Sequence, residues 1–314
     1  METRANNPDS LAVGLMAYYD NELPRYQSML SKVFTIMDST KQKEEFSGST
    51  GITKLVDVGE NGTYPYEDEL EDFKTILTHK TFKRAIAVSE EQKEDDQYRT
   101  PESRTRSLAK AASQTGDFNG FSAFRNAFTS TSTSYGDAEE LCSTSHDRLD
   151  GGTVRSNASS TNIALSEANL ETGLIAMDEA LDHKGEVIGN MGRGVILMVP
   201  IALRKKALEI VGSPLRSGTA NNDLNYYALG DIDVFVNPWI GVPAGGSDTS
   251  WFIVRKQNNA MKFIWRKRPV SRVDVDDETD ALKFKVRARF SYGWTDPIGE
   301  IWGSQGTGTG SYSS

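Results

Sequence analysis

Leu282-Lys283-Phe284-Lys285-Val286-Arg287-Ala288-Arg289-Phe290-Ser291-Tyr292-Gly293-Trp294 places apolar or aromatic residues at its even positions and Lys or Arg at four consecutive odd ones. Only an extended strand separates the two sets, because successive side chains point to opposite faces with period two. At about 3.3 Å per residue such a strand runs on the order of 40 Å, longer than most. Upstream, Met261, Phe263 and Trp265 share one parity and Lys262, Arg266 and Arg268 the other, less cleanly. The Asp-rich segment Val273 to Asp280 between them has the composition of a turn, so the two strands predict one long antiparallel ribbon.

The remaining sequence sets the class. With 314 residues and 37% hydrophobic content the chain can bury a core in one large domain or two ordinary ones. No apolar run approaches the roughly 18 residues of a membrane span, and residues 1–10 lack the basic and apolar regions of a signal peptide, which predicts a soluble intracellular product. The single Cys142 excludes an intrachain disulfide and a Cys-based zinc site. Net charge is -9, with Arg and Lys concentrated in the last third and Asp and Glu between residues 57 and 102. The molecule is polarised by charge rather than uniformly attracted to nucleic acid.

In chain order, residues 10–37 predict two short amphipathic helices parted by Pro24, which cannot fold alone and must pack on something else. Gly48 to Thr63 predicts a projecting hairpin around Asn61-Gly62, followed by the acidic run Glu67 to Asp72 and a strand over Phe73 to Ser89. Glu90 to Phe128 predicts a long helix capped by Ser89, with weak points at Pro101 and at Gly116/Gly120. Leu165 to His183 predicts an amphipathic helix with Leu170, Leu174, Ile175, Met177 and Leu181 on one side. Val195–Val199, Asp233–Val236 and Trp251–Val254 predict buried strands, with a helix from Ala202 to Val211 ended by Gly212. Residues 129–255 therefore form an α/β unit with its own core.

Chemistry is sparse. His79, His146 and His183 have no metal-ligand spacing and predict solvated or capping histidines. Asp274 to Asp280 lacks the Gly and Glu of a calcium loop, and Gly189 to Gly194 precedes a strand instead of opening a helix. Cys142 and His146 lack a third catalytic partner. No catalytic, cofactor or metal residues are assigned, and the chain reads as a non-enzyme.

The order helical arm, projecting hairpin with acidic flank, long helix, α/β unit, long ribbon and return resembles the major capsid protein of tailed phages, the HK97-like α+β fold, and particularly the Mu-like head proteins. The resemblance is carried by Phe34 to Phe46, Phe82 to Asp96, Leu141 to Asn157 and Trp251 to Gly303, which holds the run Arg287 to Pro297 (RARFSYGWTDP). It implies an N-arm (1–45), an E-loop (46–88), a P-domain of spine helix and long ribbon (89–128 and 256–296) and an A-domain with C-terminal tail (129–255 and 297–314). It implies self-assembly into pentamers and hexamers of an icosahedral virion shell around double-stranded DNA, held by non-specific contact and built in the host cytoplasm. It also implies portal and decoration proteins as partners. Only about 45 residues precede the loop and Met1 starts the chain, which predicts a separate scaffold. An encapsulin-like compartment shell and a small-molecule-binding α/β protein with a dimerisation arm are the alternatives.

The expected subunit interface pairs Lys283, Lys285, Arg287 and Arg289 with a neighbour's Glu67, Asp68, Glu69, Glu71 and Asp72, and buries Leu15, Tyr18, Met29 and Phe34 of the arm between subunits. Exposed pairs contribute only about 0 to 1 kcal/mol each, so the effect rests on repetition across many contacts. The competing assignment turns the same bases toward packaged DNA phosphates.

Overall fold

The computed structural model of the chain describes residues 8–89, 91, 100–129, 135–188, 194–214, 224–275 and 281–307. Its helices are α1 (Pro8–Glu22), α2 (Thr100–Gly120), α3 (Ser122–Arg125), α4 (Glu167–Asp178), α5 (Arg204–Val211) and α6 (Tyr226–Leu229). Its strands are β1 (Thr35–Asp38), β2 (Lys43–Phe46), β3 (Thr75–Thr78), β4 (Lys80–Val88), β5 (Val195–Val199), β6 (Ile232–Val236), β7 (Trp251–Arg255), β8 (Met261–Val275), β9 (Leu282–Trp294) and β10 (Ile301–Ser304). They form two four-stranded sheets and the small β2-β3 pair.

The ribbon is present: β8 and β9 run antiparallel, β4 adds to the far side of β9, and β1 adds parallel to β8, giving the order β1-β8-β9-β4. Alternation decides what each face does. Leu282, Phe284 and Val286 bury against Leu15 and Tyr19 of α1 and Leu108 of α2. Further along, Phe290 stacks on Phe82 at 4.4 Å and on Phe263 at 5.0 Å between ring centroids, inside a cluster that also holds Phe34, Phe121 and Phe124. Two register shifts interrupt β8, one at Arg266 and one between Lys267 and Val270. Pro269 lies in the second, a place for a residue with no N–H to give a ladder.

The second sheet has the order β10-β7-β5-β6, with β5 and β7 buried along their whole lengths. Ser166 caps α4 by accepting a hydrogen bond from the Asn169 amide at 3.2 Å. Gly173 lets that helix close on the sheet, since a Cβ there would lie 2.7 Å from Ile253 and 2.9 Å from Trp302. The buried stripe of α4 is Leu170, Gly173 and Met177. Ile175, expected on that stripe, is exposed because Gly173 and not the larger residues makes the close approach, and Leu181 is exposed because the helix ends at Asp178 before reaching it.

The N-terminal segment departs from expectation. Its second helix is a single 3-10 turn, Leu30–Lys32, and the chain then straightens into β1. Leu15 and Phe34, expected at subunit contacts, are buried in the core of their own chain, Leu15 against α2 and β9 and Phe34 against Phe121, Phe124 and Phe263. Tyr18 and Met29 are half-buried. The expected hairpin over residues 48–63 has no strands; one bridge, Ser49 to Glu71, closes its base above β2 and β3. Most of the expected N-terminal part of the long helix lies outside the described residues. Pro101 sits in the first turn of α2, where its missing N–H is harmless, and the helix breaks after Gly120. A Cβ on Gly120 would come within 2.5 Å of Leu30.

Candidate functional site

Residues 51–70 leave the body without regular structure and bury almost nothing. Their apolar side chains are fully presented: Leu55 is 101% and Tyr66 97% exposed, with Ile52, Val56 and Tyr64 also outward. A protomer gains nothing from this arrangement, and exposed apolar side chains so concentrated mark an interaction surface. Asp57, Glu60, Asp68 and Glu69 lie among them on the exposed loop.

The second feature is the face of the first sheet that α1 and α2 leave open. Cross-strand neighbours place Lys83 opposite Arg287, Arg287 opposite Val270, Lys285 opposite Arg272, and Lys267 opposite Arg289. Lys83, Lys267, Arg272, Lys285 and Arg287 line a groove of about 630 Å³ that also takes in Val270. Asp274 accepts from Lys285 at 2.7 Å and from Arg272 at 2.9 Å, and Lys285 is the main cause of its lowered carboxyl pKa. The side chains of Lys83, Lys267 and Arg287 have no hydrogen-bond or ion-pair partner among the described residues. Like charges directly opposite on a sheet are destabilising, so this face is at a cost until something anionic covers it.

The acidic run beside the loop is less available than its sequence implies. Glu67 accepts from Lys184 and from Thr53, and those bonds, Lys184 first, hold its carboxyl down to about 2. Glu71 accepts from Ser47. Asp72 accepts from Tyr135 at 2.5 Å and lies 3.1 Å from His183 Nε2. Of the five acidic residues assigned to the interface, Asp68 and Glu69 alone have a side chain with no such partner.

Asp72 belongs to a buried cluster that joins three distant parts of the chain. His183 Nε2 lies 3.4 Å from Asp296 Oδ2, with Arg155 Nη2 and the Tyr135 hydroxyl at 3.2 and 3.0 Å. Arg155 donates to Asp296 at 2.7 Å. Burial works against charge on His183, but Asp296 and Asp72 outweigh it and raise its pKa to about 8. Burial likewise opposes the Asp72 and Asp296 carboxylates, and the hydrogen bonds from His183 prevail and lower both. The Tyr135 hydroxyl is pushed up by burial and by these two acids.

The three histidines are therefore not solvated, being 5%, 0% and 6% exposed for His79, His146 and His183. His79 bonds Ser291 at 2.9 Å and His146 bonds Asp137 at 2.6 Å. Sequence spacing could not find the His183 cluster, because its members come from opposite ends of the chain. The one local signal was the turn text Asp182-His183-Lys184-Gly185-Glu186. Cys142 is buried, most of Gly189 to Gly194 and of Asp274 to Asp280 lies outside the described residues, and no group of His, Cys, Asp and Glu able to hold a metal occurs among the described residues.

A family model described as "Phage capsid protein" matches residues 72–302. No curated protein matches the chain. Among solved structures, the capsid of cyanophage P-SCSP1u aligns with a TM-score of 0.57 at 10% identity, over 90% of this chain and 89% of that one. The cyanophage Pam1 capsid aligns at 0.58 and 10% identity, over 91% and 92%. The mature capsid of bacteriophage PhiM1 aligns at 0.57 and 11% identity, over 90% and 88%. At such identities the likeness is one of fold, and it extends over nearly the whole chain.

Proposed function

Because the chain belongs to the phage capsid protein family, we propose that its projecting loop and its open cationic sheet face are two halves of one contact, repeated between copies around the pentamers and hexamers of an icosahedral head. The observation that carries this is the complementarity of two otherwise costly surfaces. A loop that exposes Leu55, Val56 and Tyr66 among acids meets a groove whose rim is Lys83, Lys267, Lys285 and Arg287 and whose floor includes Val270. Burial of the apolar tip supplies cohesion, and the charges set register and exclude misplaced neighbours.

The acidic half of the contact moves along the loop from the expected run. With Glu67, Glu71 and Asp72 engaged inside their own chain, the partners of the groove are Asp57 and Glu60 at the tip, assisted by Asp68 and Glu69. The arm contributes to assembly through half-buried Tyr18 and Met29 rather than through Leu15 or Phe34. The groove's apolar floor favours a peptide over a phosphate backbone, since neutralising DNA calls for cations without exposed valine. The role is structural, and the family match over residues 72–302 supports it. A separate scaffold, a portal, decoration proteins and packaged double-stranded DNA complete the partners, and assembly takes place in the host cytoplasm. The arm, loop, peripheral and axial regions keep the boundaries given above as the working division.

Charge exchange tests the contact. Changing Lys285 and Arg287 to Glu should abolish shells in negative-stain micrographs, and adding Asp57→Lys with Glu60→Lys should restore them. Shells that form normally, with normal salt sensitivity, in the first variant would sink the proposal. Shells that form in the first variant but fail to retain DNA would assign the face to DNA.

A further inference from the structure

The projecting loop is tied to the body at its root by one short turn. In Asp182 to Glu186, Asp182 Oδ1 accepts from the amides of Lys184 at 2.9 Å and Glu186 at 2.8 Å, and Gly185 takes φ +80°, a conformation side chains disfavour. The turn is therefore a fixed shape, and it points three groups at the loop. Lys184 pairs with Glu67 and donates to the Asp68 carbonyl. Glu186 accepts from the Lys54 amide at 3.1 Å. His183, just before Lys184, faces Asp72 at the point where the loop rejoins β3. Both ends of the loop are thus held by His183, Lys184 and Glu186 of one turn, while residues 55–66 beyond it are exposed.

We propose that the turn Asp182 to Glu186 is a latch that positions the loop for its contact, and that the proton on His183 closes it. His183, Lys184 and Glu186 are positioning residues, and the role rests on the reading of the loop as an assembly element. The groups facing His183 are Asp72 from the loop root, Tyr135 and Arg155 from the loops beneath, and Asp296 from the segment after β9; Phe73 packs 5.9 Å from its ring. With His183 protonated, two carboxylates face two cations and the root is held. With His183 neutral, Asp72 loses its cation and keeps only the Tyr135 hydroxyl and the Phe73 amide. Among the described residues the Nδ1 of His183 has no hydrogen-bond partner, so no acceptor there holds the second ring proton.

The sign follows from the raised pKa. The latch is strongest below the ordinary histidine value of about 6.5 and is lost as pH rises through about 8. The pKa difference caps the change in loop opening at about 30-fold. The expected change is smaller, because Asp296 stays beside His183 when Asp72 leaves.

Amide hydrogen exchange of the full, unassembled chain reads the latch directly. After correction for intrinsic rates, peptides spanning residues 47–72 should open increasingly between pH 6 and 9, with a midpoint near 8, while the buried strand Trp251–Arg255 stays protected. His183→Gln should remove the pH dependence and leave the loop open throughout. Lys184→Gln, at a partly exposed position, should raise opening several-fold without moving the midpoint. A flat profile in the wild-type chain, or a loop equally protected in Lys184→Gln, overturns the latch; if His183→Gln fails to fold, Lys184→Gln and the wild-type profile still decide. The exchange is read before any assembly, so a latched loop whose tip charges prove irrelevant to shells would remove the contact and leave the latch standing.

Discussion

Lys83→Glu should move two measurements in opposite directions. In the unassembled chain Lys83 stands directly opposite Arg287 on the open sheet face, with Lys285 and Arg289 next along the same face, and no carboxylate among the described residues pairs with it. Cross-strand charge pairs are worth roughly 0.2 to 1 kcal/mol in either sense, so exchanging repulsion for attraction should stabilise the protomer by about 0.5 to 1.5 kcal/mol. At a typical urea slope of about 2 to 3 kcal/mol per molar for a chain of this size, the midpoint rises by a few tenths molar. The effect should shrink as salt approaches about 1 M, where the screening length falls to about 3 Å. The same change places an acid against the acids of an arriving loop, so shell yield by size-exclusion chromatography should fall. A residue that costs its own fold stability while serving association is the signature of an interface cation. If the protomer is destabilised, or if the shells form as in wild type, the charge reasoning behind the contact is wrong.

Other expectations follow from the packing. Phe290→Ala should cost about 3 to 5 kcal/mol of unfolding free energy in urea titrations, since the ring is 1% exposed between Phe82 and Phe263. Gly120→Ala, facing Leu30 at 2.5 Å, should cost about 1 to 3 kcal/mol by overpacking. The His183 linkage contributes up to about 2 kcal/mol that is present below pH 6.5 and gone above 8, so the urea midpoint should fall across that window in wild type and stay level in His183→Gln. Deleting residues 1–40 should leave the chain unfolded by circular dichroism rather than folded and unassembled, because it removes Leu15, Tyr19, Leu30, Val33 and Phe34 from the core and β1 from the sheet.

What could be read in the sequence was whatever local pattern decides. The alternation of Leu282 to Trp294 named both faces of the ribbon, and the apolar runs at Val195 and Trp251 named the inner strands of the second sheet. The resemblance to tailed-phage capsids drew on text along the whole chain and agrees with the fold. What escaped depends on partners far away. Thr35 to Asp38 is a strand only because β8 offers it a parallel edge, so its apolar residues looked like the continuation of a helix. The loop over residues 48–63 carries hairpin chemistry at Asn61-Gly62, but its flanks meet at a single bridge. The availability of the acidic run was misjudged because Lys184 and His183, which engage it, lie more than a hundred residues on.

The two register shifts in β8 have a genetic consequence. A strand has a frame of two, and each bulge shifts it by one; the pair cancels, so that Met261, Phe263 and Trp265 before the shifts and Ser271 and Val273 after them pair with even-numbered residues of β9. A deletion of one residue between Arg266 and Pro269 would act as a frameshift in three dimensions, turning Arg272 under the helices and Val273 into solvent. A second deletion in the same interval would suppress the first, although no codon frame is involved. Length variation in this stretch should therefore be accepted in steps of two residues and rejected in steps of one.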